Sequence, residues 1–478
     1  AAAIAQAQGF EVTGCDLEPH NEFTNIFKSD QLSPGHDSKH LENVDLLAVT
    51  PAIFSLDPNN PEILAAKEKN IPVLTWQQFL GEYLTQNKFV ITVCGTHGKT
   101  TTTAMIAKIL EEANLDPTVE LGAIIPGWKA NYRIGSGKYF VIEADEFNDN
   151  FLHLKPDINV VTNIEMDHPE YFKDFEAVKI SFKKFLLQTK KTIVANLKDP
   201  GVAEVLKDVM KESKIICFDY SNNEEKFNLK IPGNFNQLNA SAAFKVGLML
   251  GIEPQIIRRG LESFTGASRR FEYIGEYATA KVYSDFGHQP TEIKVTMEAA
   301  REKFPKERIL LIYQPHMFSR TKALFEDFVK VFQSASRRTV DKTFIMNIYP
   351  SRETDTGLVT SQQLVEEIKK ENVTYIGSAK ETLEKLKPEI KSGDIVFFMS
   401  AGDTDKLARE LTKNGQNYCT LYIVRHGQTE WNIKELTQGE TDIPLNSEGI
   451  KQAKKLRKKL KDINFYAVFF GWVSNFYA

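Results

Sequence analysis

The chain has 478 residues, of which 42% are hydrophobic and 26% charged, with a formal net charge of −4. That length calls for several domains, roughly three, in an ordinary soluble composition with no global basic surface for nucleic acid. Cys15, Cys94, Cys217 and Cys419 lack CxxC spacing; they give neither a disulfide framework nor a zinc site, and they suit a reducing cytosol. No apolar run is long enough to span a membrane.

Ala1 to Gln8 reads as a helix ended by Gly9, and Phe10 to Gly14 as a strand leading to Cys15-Asp16. Helix, glycine, strand, acid is the second half of a βαβ nucleotide-binding unit. Residue 1 is not Met, and Phe469 to Ala478 stops in an aromatic-rich stretch, so sequence is expected to be missing at both ends. Val44 to Thr50 and Pro72 to Thr75 read as strands, and Pro61 to Lys69 and Trp76 to Leu84 as helices, giving a parallel α/β unit. The polar stretch Thr85 to Lys88 marks its boundary.

Phe89 to Val93 is a buried, β-branched strand, followed at once by Gly95-Thr96-His97-Gly98-Lys99-Thr100 and a helix over Thr101 to Glu112. A strand, a glycine turn and a helix N-terminus make a phosphate site, with backbone N–H groups and the helix dipole aimed at the anion. Gly95 and Gly98 admit close approach, Lys99 neutralises charge, and Thr100 offers a hydroxyl to Mg²⁺. The loop is shorter than G-x-x-x-x-G-K-[ST], with Val93 where the first glycine would stand.

Tyr139 to Ile142 and Ile158 to Thr162 are further strands, ending in Glu143-Ala144-Asp145-Glu146 and in Asn163-Ile164-Glu165-Met166-Asp167-His168. Open α/β sheets bind ligands at such strand ends. Glu143 is either a Mg²⁺ ligand or one acid on a solvated turn. His168, an uncommon Mg²⁺ ligand, reads by spacing as a helix-start residue or a substrate contact. Phe175 to Leu187 is a helix, Lys191 to Ala195 a strand, and Ile231 to Gln237 a break before a helix over Leu238 to Leu250.

A third unit begins near Arg269-Arg270. Its strands are Arg308 to Tyr313, Thr343 to Ile348, Val373 to Ile376 and Ile395 to Met399, with a helix over Thr291 to Phe304. It reads as a second doubly wound α/β domain, ending near Asn414. After a polar linker, Thr420 to Val424 reads as a strand leading into Arg425-His426-Gly427. No internal repeat or low-complexity segment is visible.

GTHGKTTTT, IEADE, TNIEMDH, PGNFNQLNASAA, SRRFE, SDFGHQPTE and YQPHMFSRT occur in the order seen in the Mur ligases, and residues 1 to about 414 resemble that family. The resemblance implies a UDP-sugar-binding domain over 1–87 lacking its first strand and glycine-rich loop, a central P-loop ATPase domain over 88–268, and a C-terminal Rossmann-like domain over 269–414. It implies a cytoplasmic enzyme that uses ATP and Mg²⁺ to join an amino acid, L-alanine, to the lactyl carboxylate of UDP-N-acetylmuramate through an acyl phosphate. A tripeptide-adding recycling ligase and a non-catalytic nucleotide-binding fragment are the alternatives.

Carried onto this chain, the resemblance puts ATP on Gly95, Thr96, His97, Gly98, Lys99, Thr100 and Thr101. Asn236 lies near the adenine, and Arg270 and Asp285 reach over from the third domain. Thr100 and Glu143 hold one metal ion and His168 a second. Asn163 lies on the sugar-nucleotide side, and His288, His316 and Arg320 face the substrates, with His316 and Arg320 toward the amino acid. Phe235, Ser284, Gln289 and Met317 depart from the family's usual His, acid, His and Arg; losing the last removes a carboxylate donor.

The tail motif LYIVRHGQTEWN resembles the opening of the histidine phosphatase family. That kinship makes His426 the phosphoryl acceptor and Arg425 its phosphate ligand. The segment 415–478 is short for a domain, and it is expected to be an incomplete, inactive α/β piece.

Overall fold

The computed structural model describes residues 1–19, 24, 27–28, 30–222, 225–335, 339–415, 424–436, 441 and 443–461. The chain divides into two units, Ala1–Gln416 and Asn417–Ala478.

The first unit opens with a helix, Ala2–Ala7, and two separate parallel strand pairs. Strands β1 (Gly14–Asp16) and β2 (Leu32–Pro34) form one pair, and β3 (Leu47–Val49) and β4 (Val73–Thr75) the other. The strand expected over Phe10 to Gly14 thus begins at its last residue. No β2 residue lies opposite Phe10–Thr13, and the Phe10 ring packs edge-on against Phe79 at 5.6 Å. The helix Pro61–Glu68 starts where Asn60 caps it, its side-chain oxygen accepting from the Glu62 and Ile63 amides.

The middle of the unit is a sheet of seven strands: β5 (Phe89–Cys94), β6 (Thr118–Ile125), β7 (Ala130–Arg133), β8 (Tyr139–Glu143), β9 (Ile158–Val161), β10 (Thr192–Ala195) and β11 (Ile216–Asp219). Their order is β11-β10-β9-β5-β8-β6-β7, parallel except for the antiparallel edge pair β6–β7. Alternation along β5 serves both faces. Ile91 and Val93 enter the core shared with the helix Lys99–Glu112, while Val90 and Cys94 enter the core under the helix Phe175–Leu187. The chain leaves β5 for one side of the sheet and returns to the other through β9, so the loop after β5 lies at the switch point, where crevices form.

A second sheet follows: β12 (Glu272–Tyr277), β13 (Ala280–Asp285), β14 (Ile309–Tyr313), β15 (Lys342–Met346), β16 (Val373–Gly377) and β17 (Ile395–Met399). The order is β12-β13-β17-β14-β15-β16, with only β12 antiparallel. Ile309, Leu311 and Tyr313 pack on one face and Leu310 and Ile312 on the other. Two doubly wound sheets preceded by a smaller α/β segment make the α/β architecture expected, and the strands β2, β6, β7, β11 and β12 are additions to it.

The helix expected from Leu238 runs instead over Asn234–Met249. Gly233, at φ +98°, makes the turn into it, and Asn236 anchors the first turn by donating to the Pro232 carbonyl at 2.6 Å. The phosphate-loop helix likewise begins at Lys99, two residues early.

In the second unit, the expected strand over Thr420 to Val424 lies outside the described residues apart from Val424. A short helix, Glu430–Ile433, is capped by Thr429 and followed by the helix Ser447–Leu460, capped by Asn446.

Candidate active site

Sheet register sets the site. Val93 of β5 stands beside Glu143 of β8, and Cys94 beside Val161 of β9. The loop after β5 is therefore flanked by the acids that follow β8 and the polar run that follows β9. Gly95, at φ +131°, and Gly98, at φ +84°, cannot be replaced cheaply. A Cβ on Gly95 would meet Thr162 Oγ1 at 2.1 Å, and one on Gly98 would meet Asn239 Oδ1 at 2.7 Å.

Lys99 lies under the loop. Its ammonium donates to the Gly95 carbonyl at 2.7 Å and pairs with Glu146 at 2.8 Å. Burial favours the neutral amine, but Glu146 and its neighbouring acids outweigh it and hold the lysine above its ordinary value. Thr100 donates to Glu143 Oε1 at 2.9 Å, and Glu143 Oε2 accepts from the Gly122 amide at 2.7 Å.

A second group stands close by: donor atoms of Asp145, Glu146 and His168 lie within 4.8 Å of one another. His168 is half-buried, which disfavours its charge, yet Glu170, at 3.0 Å from Nδ1, and Asp167 raise it above the ordinary histidine value. A hydroxyl with a carboxylate, and two carboxylates with an imidazole, are both donor sets that fit a divalent cation beside phosphate. Asp145 and Glu146 were not singled out in the sequence, although IEADE holds them both.

His97 links the loop to the third domain. Its Nδ1 lies 3.3 Å from Glu292 Oε1 and its Nε2 3.5 Å from Glu165 Oε2. Burial would lower the imidazole, but the two carboxylates reverse this and raise it to about 10. Glu292 itself is held well below the carboxylate range against its burial, chiefly by His288 and His97. It caps its own helix by accepting from the His288 and Gln289 amides at 2.8 and 3.1 Å. Thr291 donates to Glu165 at 2.9 Å across the same boundary.

Between loop and third domain opens a small cleft. His97, Gly98, Thr100 and Thr101 line one wall, Phe235, Asn236 and Asn239 a second, and Arg270, Asp285 and Glu292 a third. Asp285 is buried and raised by that burial, although its oxygens accept from the Phe271 and Gly287 amides. Arg270 lies over the Phe286 ring at 5.0 Å. Phe235, where the family commonly has histidine, lines this cleft.

Asn163 sits behind the loop: its carbonyl oxygen accepts from the His97 amide at 2.8 Å and its amide donates to the His97 carbonyl at 3.0 Å. Both ends of the side chain engage the loop backbone. Thr96 is held similarly, its hydroxyl accepting from the Glu165 amide at 2.9 Å.

His288, His316 and Arg320 gather at the ends of β13 and β14. The His288 and His316 rings are 5.8 Å apart, and His316 stacks on Tyr349 at 5.7 Å. Arg320 is buried; it donates to His316 Nδ1 at 3.0 Å and pairs with Asp167 of the central domain at 3.1 Å. Burial, joined by neighbouring cations, lowers His316 to about 3, and burial lowers His288 to about 4, so both rings are neutral. The Arg320 Nε–H has no acceptor among the described residues. Met317, at φ +70°, is buried with its sulfur 3.9 Å from Arg320 Nη1. Arg352 pairs with Glu170, a fourth link between the domains.

Family comparison accounts for most of the first unit. Residues 1–88 match the family described as Mur ligase family, catalytic domain, residues 93–224 the Mur ligase middle domain, and residues 269–402 the Mur ligase, glutamate ligase domain. A UDP-N-acetylmuramate–L-alanine ligase of Caldicellulosiruptor bescii is 37% identical over 437 residues, covering 85% of this chain and 93% of that protein. The chain belongs to the Mur ligase family. The similarly named protein of Clostridium tetani is 36% identical over 433 residues, with 85% and 93% coverage. The crystal structure of a UDP-N-acetylmuramate–alanine ligase from Thermotoga maritima superposes with a TM-score of 0.69 at 25% identity, covering 87% of this chain and 95% of that one. Mur ligases are ATP-dependent ligases.

Residues 421–476 match the histidine phosphatase superfamily, branch 1. Arg425 and His426 are exposed, and His426 Nδ1 lies 2.8 Å from the Gly427 carbonyl. Gly427 packs against Gly449, where a Cβ would meet the Gly449 carbonyl oxygen at 2.5 Å. Among the described residues, no helix is long and apolar enough to cross a membrane.

Proposed function

We propose that this Mur ligase joins L-alanine to the lactyl carboxylate of UDP-N-acetylmuramate at the expense of ATP, in the cytoplasm, as a step of peptidoglycan precursor synthesis. The observation that carries the reading is the pair of oxygen-rich groups, Thr100 with Glu143 and Asp145 with Glu146 and His168, on either side of the phosphate-loop lysine. The relatives named for this reaction support the choice of substrates.

A carboxylate has no leaving group, so the γ-phosphoryl of ATP is first transferred to it. The amine of alanine attacks the resulting acyl phosphate, and inorganic phosphate leaves. Thr100, Glu143 and His168, joined by Asp145 and Glu146, would hold Mg²⁺. Bound there, Mg²⁺ neutralises charge on the transferring phosphoryl oxygens. Lys99 offsets the same charge from below the loop, and fixed charges in a dry site act without reorganising. Arg270 and Asp285 close on the nucleotide from the third domain, with Asn236 and Phe235 beside the adenine. The neutral His316 does not repel the ammonium of the incoming alanine, and the unpaired Nε–H of buried Arg320 is a donor for its carboxylate. With Met317 in place of a second guanidinium, we expect weaker affinity for free alanine than in relatives that carry the arginine.

On this reading residues 1–87 take the UDP-sugar, 88–268 the ATP, and 269–414 close the site. Residues 415–478 have no phosphatase or mutase activity. The test is phosphate release with UDP-N-acetylmuramate, ATP, Mg²⁺ and each candidate amino acid or tripeptide. Release that depends on alanine supports the reading; release only with tripeptide, or none with any acceptor, overturns it.

A further inference from the structure

Cys15, His36, His40 and Glu62 converge at one edge of the first segment, far along the chain from the phosphate loop. Cys15 lies on β1, His36 just after β2, His40 in the 3-10 turn Ser38–Leu41, and Glu62 in the first turn of the helix Pro61–Glu68. Cys15 Sγ, a ring nitrogen of His40 and an oxygen of Glu62 lie within 4.8 Å of one another. Cys15 Sγ is 3.0 Å from Glu62 Oε1 and 3.3 Å from His36 Nδ1. His36 Nδ1 is 3.1 Å from Glu62 Oε2, and His40 Nδ1 is 2.7 Å from Glu62 Oε1. Glu62 is buried, and the three residues around it are half-buried.

We propose that these four side chains form a binding site for a zinc-type divalent cation that ties the first segment together. Sulfur and imidazole ligands select zinc over magnesium or calcium. Zinc–ligand bonds of about 2.0–2.3 Å place tetrahedral donors about 3.3–3.6 Å apart, so Glu62 must move a few tenths of an ångström from Cys15 and His36, and roughly 0.6–0.9 Å from His40, to make room for the ion. Charge balances as well. One thiolate and one carboxylate match the two charges of the cation, and both histidines bind neutral, leaving no net charge in a partly buried site. His36-x₃-His40 has a spacing found between zinc ligands. The site was invisible to a search for CxxC because its donors come from four elements spread between Cys15 and Glu62.

The fold supplies a reason for such a tie. Among the described residues, the pairs β1–β2 and β3–β4 share no hydrogen-bond ladder, and the apolar cluster beneath the turn has only Leu41, Ala65 and Ala66 as buried members. A metal bridging β1, the turn and the helix supplies a cross-link where the core is small.

The experiment uses the full chain stripped of metal and titrated with Co²⁺ and with Zn²⁺ against a chromophoric chelator. The expected result is a thiolate-to-cobalt charge-transfer band and visible absorption of tetrahedral intensity. Cys15→Ser should abolish the band, and His40→Gln or Glu62→Gln should weaken Zn²⁺ binding by about tenfold or more. The partly exposed His40 gives a variant that stays readable if Cys15→Ser fails to fold. The band is specific to a cysteine ligand, so metal at the acids near Lys99 does not produce it. Absence of the band in the parent chain, its persistence in Cys15→Ser, or Zn²⁺ affinity unchanged in His40→Gln would leave only a hydrogen-bonded ion-pair cluster and overturn the proposal.

Discussion

Replacing Glu292 with glutamine tests how the phosphate loop is held to the third domain. Glutamine keeps an oxygen for the His288 and Gln289 amides but removes the negative charge 3.3 Å from His97 Nδ1. The other groups at this junction are Glu165 on the far side of the ring, Thr291 bonded to Glu165, and Arg270 and His288 beside Glu292. His97 rises from 6.5 to about 10 in the folded chain. The whole shift corresponds to roughly 5 kcal/mol at about 1.4 kcal/mol per unit. Because the folded value is the higher one, this stabilisation is complete below the unfolded value near 6.5 and is lost as pH rises through about 10. Near pH 7.5 about 2.5 units remain, roughly 3–4 kcal/mol shared between two carboxylates. Glu292→Gln should therefore cost about 1–3 kcal/mol near neutral pH, with the penalty shrinking as pH passes about 10. The assays are imidazole NMR titration, with His97 assigned through His97→Gln, and urea unfolding at neutral and alkaline pH. A parent His97 titrating near 6.5, or a penalty that does not change with pH, would refute the reasoning.

Three further outcomes are expected. Lys99→Ala should lower ATP-dependent turnover by roughly 100-fold or more, and it also leaves Glu146 buried without its partner, at about 3–5 kcal/mol. Urea unfolding of Lys99→Ala beside its turnover separates the two effects, and near-normal turnover of the folded variant would count against the phosphate role. Asp167→Asn should destabilise by about 3–5 kcal/mol, because Arg320 is then a buried cation without a carboxylate. A double-mutant cycle with Arg320→Gln should show coupling of about 1–3 kcal/mol, and additive losses would mean that the pair contributes nothing. The tail should hydrolyse no generic phosphomonoester; hydrolysis that disappears in His426→Ala would show that it is an active phosphatase.

What could be read from the sequence was whatever short-range pattern controls. The helix Phe175–Leu187 has the bounds expected, since Asp174 caps it and Val178, Phe182 and Phe185 recur on its buried face. β17, Ile395–Met399, is apolar throughout and buried on both faces, and it too has the expected bounds. β7 and β12 escaped because edge strands are half-buried and carry polar residues, so they lack the apolar run of a central strand. The phosphate loop could be read because its chemistry is contiguous. The Glu292 contact with His97 could not, because it spans 195 residues and depends on how two sheets meet. Within IEADE the spacing did not reveal that Glu143 meets Thr100 while Glu146 meets Lys99. Those assignments follow from the register of β8 against β5.

The charge around the loop determines what must accompany ATP. On the proposed reading Glu143, Asp145 and Glu146 face the bound phosphates, and the Lys99 ammonium is already matched by Glu146. A triphosphate entering alone would set its charge against these carboxylates. At about 4 Å and an effective dielectric constant of about 20, each like-charged pair costs roughly 4 kcal/mol before screening. Metal-free ATP should therefore bind poorly, and a divalent cation should turn the same carboxylates from repulsive groups into ligands. This gives Glu143→Gln opposite effects under two conditions. In chelator, with no divalent ion, the variant should bind ATP more tightly than the parent, because one repulsion is gone. In Mg²⁺ it should bind less tightly, because one ligand is gone, and its Mg²⁺ requirement for turnover should move to higher concentration. Calorimetric titration of ATP under both conditions makes the comparison. A change of the same sign with and without Mg²⁺ would remove Glu143 from the metal site and leave it as a residue that only anchors Thr100 and the Gly122 amide.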